Sequence, residues 1–160
     1  MEQLFFHIIS AWVQLAIMPE KKLSHNVKDE IAEENDALIV VVGEGPYAET
    51  DGDRGKNSVT ISATDRTMLD NLRQSLATQG RKEIPVIAII VAGRPLDITE
   101  YMDMFDGIVM AWLPGTEGAG IADVLFGEYD FTGKLTCTWR ENPGDPKSPV
   151  LFEKGYGLAK

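Results

Sequence analysis

Cysteine occurs once, at Cys137, so no disulfide can close within the chain. That leaves the compartment open, because many exported proteins also lack disulfides. Histidine is nearly as scarce. His7 and His25 are the only two, and neither stands at a metal-ligand spacing, which argues against a His-based zinc site. No metal and no cofactor is expected. Basic residues are outnumbered, 15 Lys and Arg against 25 Asp and Glu, for a formal net charge of -10. Nucleic acid binding needs clustered Lys and Arg, so nucleic acid is excluded as a partner, and an anionic membrane with it. The apolar stretch Leu4 to Met18 is too short for an ordinary transmembrane helix. Glu2 stands where a signal peptide would carry a basic residue, so none is expected. No internal repeat and no low-complexity segment interrupts the chain.

Several chemical signatures are missing too. No Gly-x-Ser-x-Gly elbow is present. Gly115 to Gly120 precedes a helical segment and could cradle an anion through backbone N–H groups. It lacks the Lys of a P-loop and the Gly spacing of a dinucleotide site, and Glu117 would repel phosphate. Asp51, Asp53, Gly55 and Asn57 partly match a calcium loop, but the Gly is misplaced and Ser62 stands where a bidentate Glu belongs.

What is present suits one soluble domain: 160 residues, 44% apolar and 25% charged. Residues 1–27 form an atypical start. Leu4, Ile8, Trp12 and Leu15 fall on one helical face. A helix packed on the domain is the plainer reading, and a helix that seeks a partner chain the sharper one. The runs Ala37 to Val42, Pro85 to Val91 and Gly107 to Ala111 read as parallel strands buried on both faces, because their Val and Ile residues are continuous rather than alternating. Helices are expected over Asp65 to Gln79, Leu96 to Met104 and Gly118 to Phe126. Ser62 with Asp65 gives the first a capping start, Gly80 stops it, and Gly127 closes the third. Lys134 to Trp139 alternates and is expected to be an antiparallel edge strand. Asn142 to Pro149 reads as a surface loop. The fold class is therefore α/β, a three-layer sandwich on a mostly parallel sheet.

In an open parallel sheet, ligands meet the loops at the carboxyl ends of the strands. Glu44 to Asp53 follows the first strand, Gly93-Arg94-Pro95 the second, and Trp112 to Gly118 the third. All three unusual segments thus share one edge. It carries the carboxylates Glu44, Glu49, Asp51, Asp53 and Glu117. Arg54 and Arg94 could hold these in place or bind a substrate. Tyr47 and Trp112 offer flat faces that suit the C–H face of a sugar. Carboxylates with aromatics point to carbohydrate, and glycoside hydrolysis uses two carboxyl groups about the scissile bond. Against this, loop carboxylates are usually solvated, Trp112 beside a strand end suits a core, and Arg94 suits an ion pair.

The run Gly43-Glu44-x-Pro46-Tyr47-x-Glu49-Thr50-x-Gly52-Asp53 resembles the second domain of glycoside hydrolase family 3, the β-glucosidases and exo-β-glucanases. So do Ala92 to Pro95, Ala111 to Gly118, Ala122 to Gly127, Thr132 to Leu135, Thr138-Trp139 and Gly155 to Leu158, in register. The resemblance makes residues 28–160 a C-terminal-type domain of that family, with the first strands of the family domain missing ahead of it. It implies hydrolysis of a β-linked glucoside or oligosaccharide with retention, at a site shared with a (β/α)8 barrel that supplies the nucleophile. Glu49 then looks like the general acid/base, by its closeness to Gly52-Asp53-Arg54, with Glu44 the runner-up. Tyr47, Asp53, Arg54, Arg94, Trp112 and Glu117 become substrate-binding candidates. Thr136 and Arg140 stand where the family usually has Pro, and Glu153-Lys154 departs from its usual approach to Gly-Tyr-Gly. No barrel is present in the sequence, so a barrel domain or chain is an implied partner and the lone chain is expected to be inactive. The alternative is a non-catalytic sugar-binding module that self-associates into a homo-oligomer.

Overall fold

The computed structural model describes residues 37–55, 59–78 and 84–158. The expected N-terminal helix, the boundary at residues 27 and 28, and the Gly80 stop lie outside the described residues.

Three parallel strands form the main sheet in the order β1 (Leu38–Gly43), β2 (Val86–Val91) and β3 (Gly107–Trp112). Leu38 is level with Val86 and Gly43 with Val91. The β2–β3 register slips at its end, where Ile90 faces Met110 but Val91 faces Trp112, leaving Ala111 as an extra residue. Such a bulge bends the strand, and Trp112 leaves it in the left-handed region at φ 55.

One face of the sheet carries Val40, Val42, Val86, Ala88 and Ile90, all buried. Helix α1 (Ala63–Thr78) belongs to the same core through Leu69, Leu72 and Leu76. Their spacing puts one apolar stripe against the sheet. Each such side chain contributes about 1.5–3 kcal/mol by leaving water. The Ser62 hydroxyl accepts the Asp65 amide at 3.0 Å, so the helix starts on the expected cap. The opposite face carries Ile39, Val41, Ile89 and Val91 and lies beside helix α2 (Gly118–Leu125). Gly127, at φ 83, follows that helix. Helices on both faces make the three layers expected from sequence.

Three expectations change in detail. Burial on both faces fails at Val41, which is 56% exposed, because among the described residues α2 covers that face only in part. The short helix expected over Leu96 to Met104 is a 3-10 helix confined to Thr99–Met104. Leu96 and Ile98 are instead buried in the core ahead of it. The antiparallel element is shifted: β4 is Trp139–Arg140, paired with β5 (Val150–Phe152) in a separate two-stranded sheet rather than along the main one. Leu135 is committed elsewhere, exchanging backbone hydrogen bonds with Tyr156 and Gly155. Trp139 is turned into the core, where its indole N–H donates to the Leu96 carbonyl at 2.9 Å. Residues 142–149 form the expected loop between β4 and β5.

Candidate functional site

At the carboxyl end of β1 the Gly43 amide donates to Asp65 Oδ2 at the start of α1, at 3.1 Å. The Glu44 amide continues the sheet by donating to the Val91 carbonyl at 3.1 Å. Beyond Gly45 and Pro46 the chain turns through a short 3-10 segment, Glu49–Gly52. The Asp51 amide reaches the Ala48 carbonyl at 3.2 Å and the Asp53 amide the Thr50 carbonyl at 3.0 Å.

Glu44 is the hub of this loop. Its side chain is 5% exposed. Arg94 Nε lies 3.1 Å from one of its oxygens and Arg54 Nε 3.4 Å from the other. The Tyr47 hydroxyl donates to it at 3.2 Å. A buried carboxylate is tolerable only when paired and hydrogen-bonded in this manner. Arg94 also donates from its terminal nitrogen to the Gly52 carbonyl at 2.6 Å, and its guanidinium lies 4.7 Å over the Tyr47 ring. One arginine from the β2 loop therefore clasps the β1 loop at its beginning, middle and end. Tyr47 beside it, opposed by burial and joined by Glu44, raises the pKa of Arg94 above its already high ordinary value, so this cation persists at every working pH.

Tyr47 sits between two glycines. A Cβ at Gly52 would fall 2.3 Å from its ring, and a Cβ at Gly93 would fall 2.6 Å from its hydroxyl oxygen. Neither position has room for a side chain unless the tyrosine moves.

Glu49 contrasts with Glu44 in every respect. It is exposed, at φ 48 in the left-handed region, and among the described residues no hydrogen bond or ion pair holds its carboxylate. Left-handed backbone at a non-glycine residue is strained by roughly 1–2 kcal/mol. The clasp at Glu44, Tyr47 and Gly52 flanks this residue on both sides and holds it in place.

The sequence-derived candidates thus divide. Glu44, Tyr47, Arg54 and Arg94 come together as one cluster. Glu49 and Asp53 stand exposed on the same loop. Trp112 and Glu117 belong to the β3 loop at the same sheet edge. Trp112 is half-buried there, and Glu117 accepts a hydrogen bond from the Thr116 hydroxyl at 3.1 Å. Of the open roles for the arginines, the structure displays the structural one. Sequence reasoning missed Asp65, Gly52, Gly93 and Leu113 as contributors; Leu113 Cδ1 would lie 3.6 Å from a Cβ at Gly93. The available signal was a glycine beside Glu44, Asp53, Arg54, Arg94 and Glu117, though none adjoins Tyr47 or Trp112.

The family model for the glycosyl hydrolase family 3 C-terminal domain matches residues 9–160. The chain belongs to that family. A lysosomal β-glucosidase of Dictyostelium discoideum is 33% identical over 156 residues, covering 89% of this chain and 18% of that protein. A periplasmic β-glucosidase of Salmonella typhimurium is 30% identical over 122 residues, covering 76% of this chain and 15% of that one. Among solved structures, an exo-1,3/1,4-β-glucanase (ExoP) from a Pseudoalteromonas species superposes with a TM-score of 0.65 at 36% identity, covering 82% of this chain and 17% of that chain. The family 3 domain described here therefore spans less than a quarter of the length of these relatives.

Proposed function

We propose that this chain supplies the general acid/base of a retaining β-glucosidase-type glycoside hydrolase, and that Glu49 is that residue. The observation carrying the proposal is the division of labour between the two glutamates. Both Glu44 oxygens face donors, two arginines and a tyrosine, so it is poorly placed to hand a proton to a leaving group. Glu49 is open to solvent on a loop held by that same cluster. A general acid must reach the glycosidic oxygen of a bound substrate, and only Glu49 of the pair is free to do so.

In the first step Glu49 protonates the glycosidic oxygen as the C–O bond breaks and a nucleophilic carboxylate forms the glycosyl-enzyme. In the second, Glu49 takes a proton from water as that water attacks the anomeric carbon and releases the carboxylate. The nucleophile and most ring contacts come from a (β/α)8 barrel outside this chain, consistent with the small share of the relatives' length that the chain covers. The substrate class is a β-linked glucoside or oligosaccharide. Asp53, Arg54, Trp112 and Glu117 flank its approach at the sheet edge. Arg94 and Tyr47 act by holding the loop.

Two measurements test this. The lone chain is expected to leave an aryl β-glucoside intact, since half a site lacks the interactions that bind the transition state. Efficient, Glu49-dependent turnover by the purified chain would overturn the shared-site reading. The chain should then be joined to the remainder of a family 3 β-glucosidase in place of that enzyme's matching segment. E49A in this chimera is expected to lose activity on poorly activated substrates, whose leaving group needs the acid, and to regain rate with added azide on an activated aryl β-glucoside, where azide attacks the glycosyl-enzyme to give a β-glucosyl azide. Retention of full activity by E49A, with E44A showing the azide response instead, would transfer the role to Glu44.

A further inference from the structure

Among the described residues, Glu49 and Trp112 are the two non-glycine residues in left-handed backbone, at φ 48 and φ 55. Glu49 lies in the loop after β1 and Trp112 is the last residue of β3, so both stand at the carboxyl edge of one sheet. The two loops meet at Gly93, where an added Cβ would fall 2.6 Å from the Tyr47 hydroxyl oxygen and 3.6 Å from Leu113 Cδ1. Left-handed backbone at a bulky residue is strained and persists only where its surroundings enforce it. At Trp112 the bulge at Ala111 re-aims the chain.

Packing does not account for this tryptophan. Trp112 belongs neither to the buried core nor to the partly buried apolar side chains packed against that core. Among the described residues its indole N–H has no hydrogen-bond partner, and no buried side-chain nitrogen is left unpaired, so that N–H faces water. Trp139 is the opposite case, buried with its N–H given to the Leu96 carbonyl.

We propose that Trp112 is the platform for the leaving group of the substrate, with its indole ring against the C–H face of a pyranose and its N–H open to a sugar hydroxyl. This rests on the reading of Glu49 as the general acid. A general acid stands at the glycosidic oxygen, between the sugar that stays and the sugar that departs. The barrel holds the sugar that joins the nucleophile, so the edge carrying the acid meets the departing one. An indole suits that partner, because it joins a flat apolar face to one polar handle. Leu113, 69% exposed, extends the apolar surface beside it. The bulge and the left-handed step fix where the indole points, which a ligand contact needs and a merely solvated side chain does not. If only the turn mattered, glycine would serve at position 112 without strain.

Trp112→Gly separates a platform from a structural residue. In the full-length chain W112G is expected to melt at or above the temperature of the parent, since glycine relieves φ 55 and no core contact is lost. A melt more than about 5 °C lower would make Trp112 a structural residue and overturn the proposal. Activity is read in the β-glucosidase chimera with two substrates. A β-linked glucose disaccharide offers a sugar to stack, whereas β-glucosyl fluoride loses only fluoride. The ratio of kcat/KM for the disaccharide to that for the fluoride should fall about tenfold or more in W112G. W112F keeps a ring face and should hold the ratio within about threefold of the parent. Equal losses on both substrates, no loss on either, or a W112F no better than W112G would each overturn the stacking. E49A keeps the two readings apart. An azide response in E49A with an unchanged W112G ratio overturns the platform and leaves the acid in place. A lowered ratio upholds the platform even where E44A gives the azide response instead, because both glutamates stand on the same loop.

Discussion

Replacing Arg94 probes the clasp most sharply. Arg94→Ala removes a charge-assisted hydrogen bond to Glu44, a second to the Gly52 carbonyl, and the cation over Tyr47. Charge-assisted hydrogen bonds are worth about 1.5–3 kcal/mol each, and a partly exposed cation–π contact about 0.5–1 kcal/mol. The gross sum, about 3.5–7 kcal/mol, overstates the loss. The Arg94 side chain is 26% exposed, so water replaces part of what is removed, and Arg54 stays on Glu44 as a second cation. A net cost of about 2–3 kcal/mol follows. For a chain of this length that lowers Tm by roughly 8 °C, at about 3 °C per kcal/mol. Arg94→Lys keeps the charge but has no planar fork to reach Glu44 and Gly52 while lying flat on Tyr47, so it should recover less than half of the loss. Thermal melts followed by circular dichroism give the magnitude, and amide hydrogen exchange gives the location. Exchange at Asp51 and Asp53 should accelerate, whereas amides of β2 keep their order of protection. An R94A chain melting within about 1 °C of the parent would refute the clasp. Full rescue by R94K would refute its dependence on planar geometry.

Other outcomes follow from the same contacts. Glu49→Gly should stabilise the fold by about 0.5–1 kcal/mol in chemical denaturation, because glycine relieves the left-handed strain at φ 48. Trp139→Phe should cost about 3 kcal/mol in a denaturant series, since the Leu96 carbonyl loses the Trp139 indole donor and a void opens beside Phe152. Tyr101 carries a pKa raised above the ordinary 10.0, first by burial and then by its hydrogen bond to Asp70. A raised folded value means its contribution is fully present below pH 10.0 and is lost as pH climbs through the folded value, so Y101F should flatten the alkaline fall in Tm. Glu44→Gln should lower Tm by several degrees where Glu49→Gln leaves it nearly unchanged, because only the former strands two guanidiniums beside a neutral group.

Much of this architecture is written locally in the chain. Ser62 and Asp65 announce the start of α1, and the uninterrupted Val and Ile runs announce parallel strands. The clustering of three loops at one sheet edge then follows from strand direction alone. What stayed hidden depends on partners distant in sequence. An unbroken apolar run has no period, so Val41 and Val42 read alike, and what separates them is that α1 packs over the face of Val42 while α2 covers that of Val41 only in part. Lys134 to Trp139 alternates well enough for a strand, but Leu135 and Trp139 are claimed by Tyr156 and Leu96, each remote in the chain. The rival claims of Glu44 and Glu49 could be ranked from sequence only by analogy. The pairing of Glu44 with Arg94, 50 residues away, is what distinguishes an anchored carboxylate from a free one.

The seat of Tyr47 has a consequence for how this loop can change over time. With one glycine against its ring and another against its hydroxyl, the three positions are tied into a single unit of inheritance. Alanine at position 52 or 93 meets a clash while the tyrosine remains, but the same alanine fills vacant space once a small residue stands at position 47. Drift through this loop therefore has a direction: the aromatic must be lost first and the glycines afterwards, and any path in the other order passes through a destabilised intermediate. A library randomising positions 47, 52 and 93 together should recover folded chains that no series of single alanine steps starting at a glycine would reach.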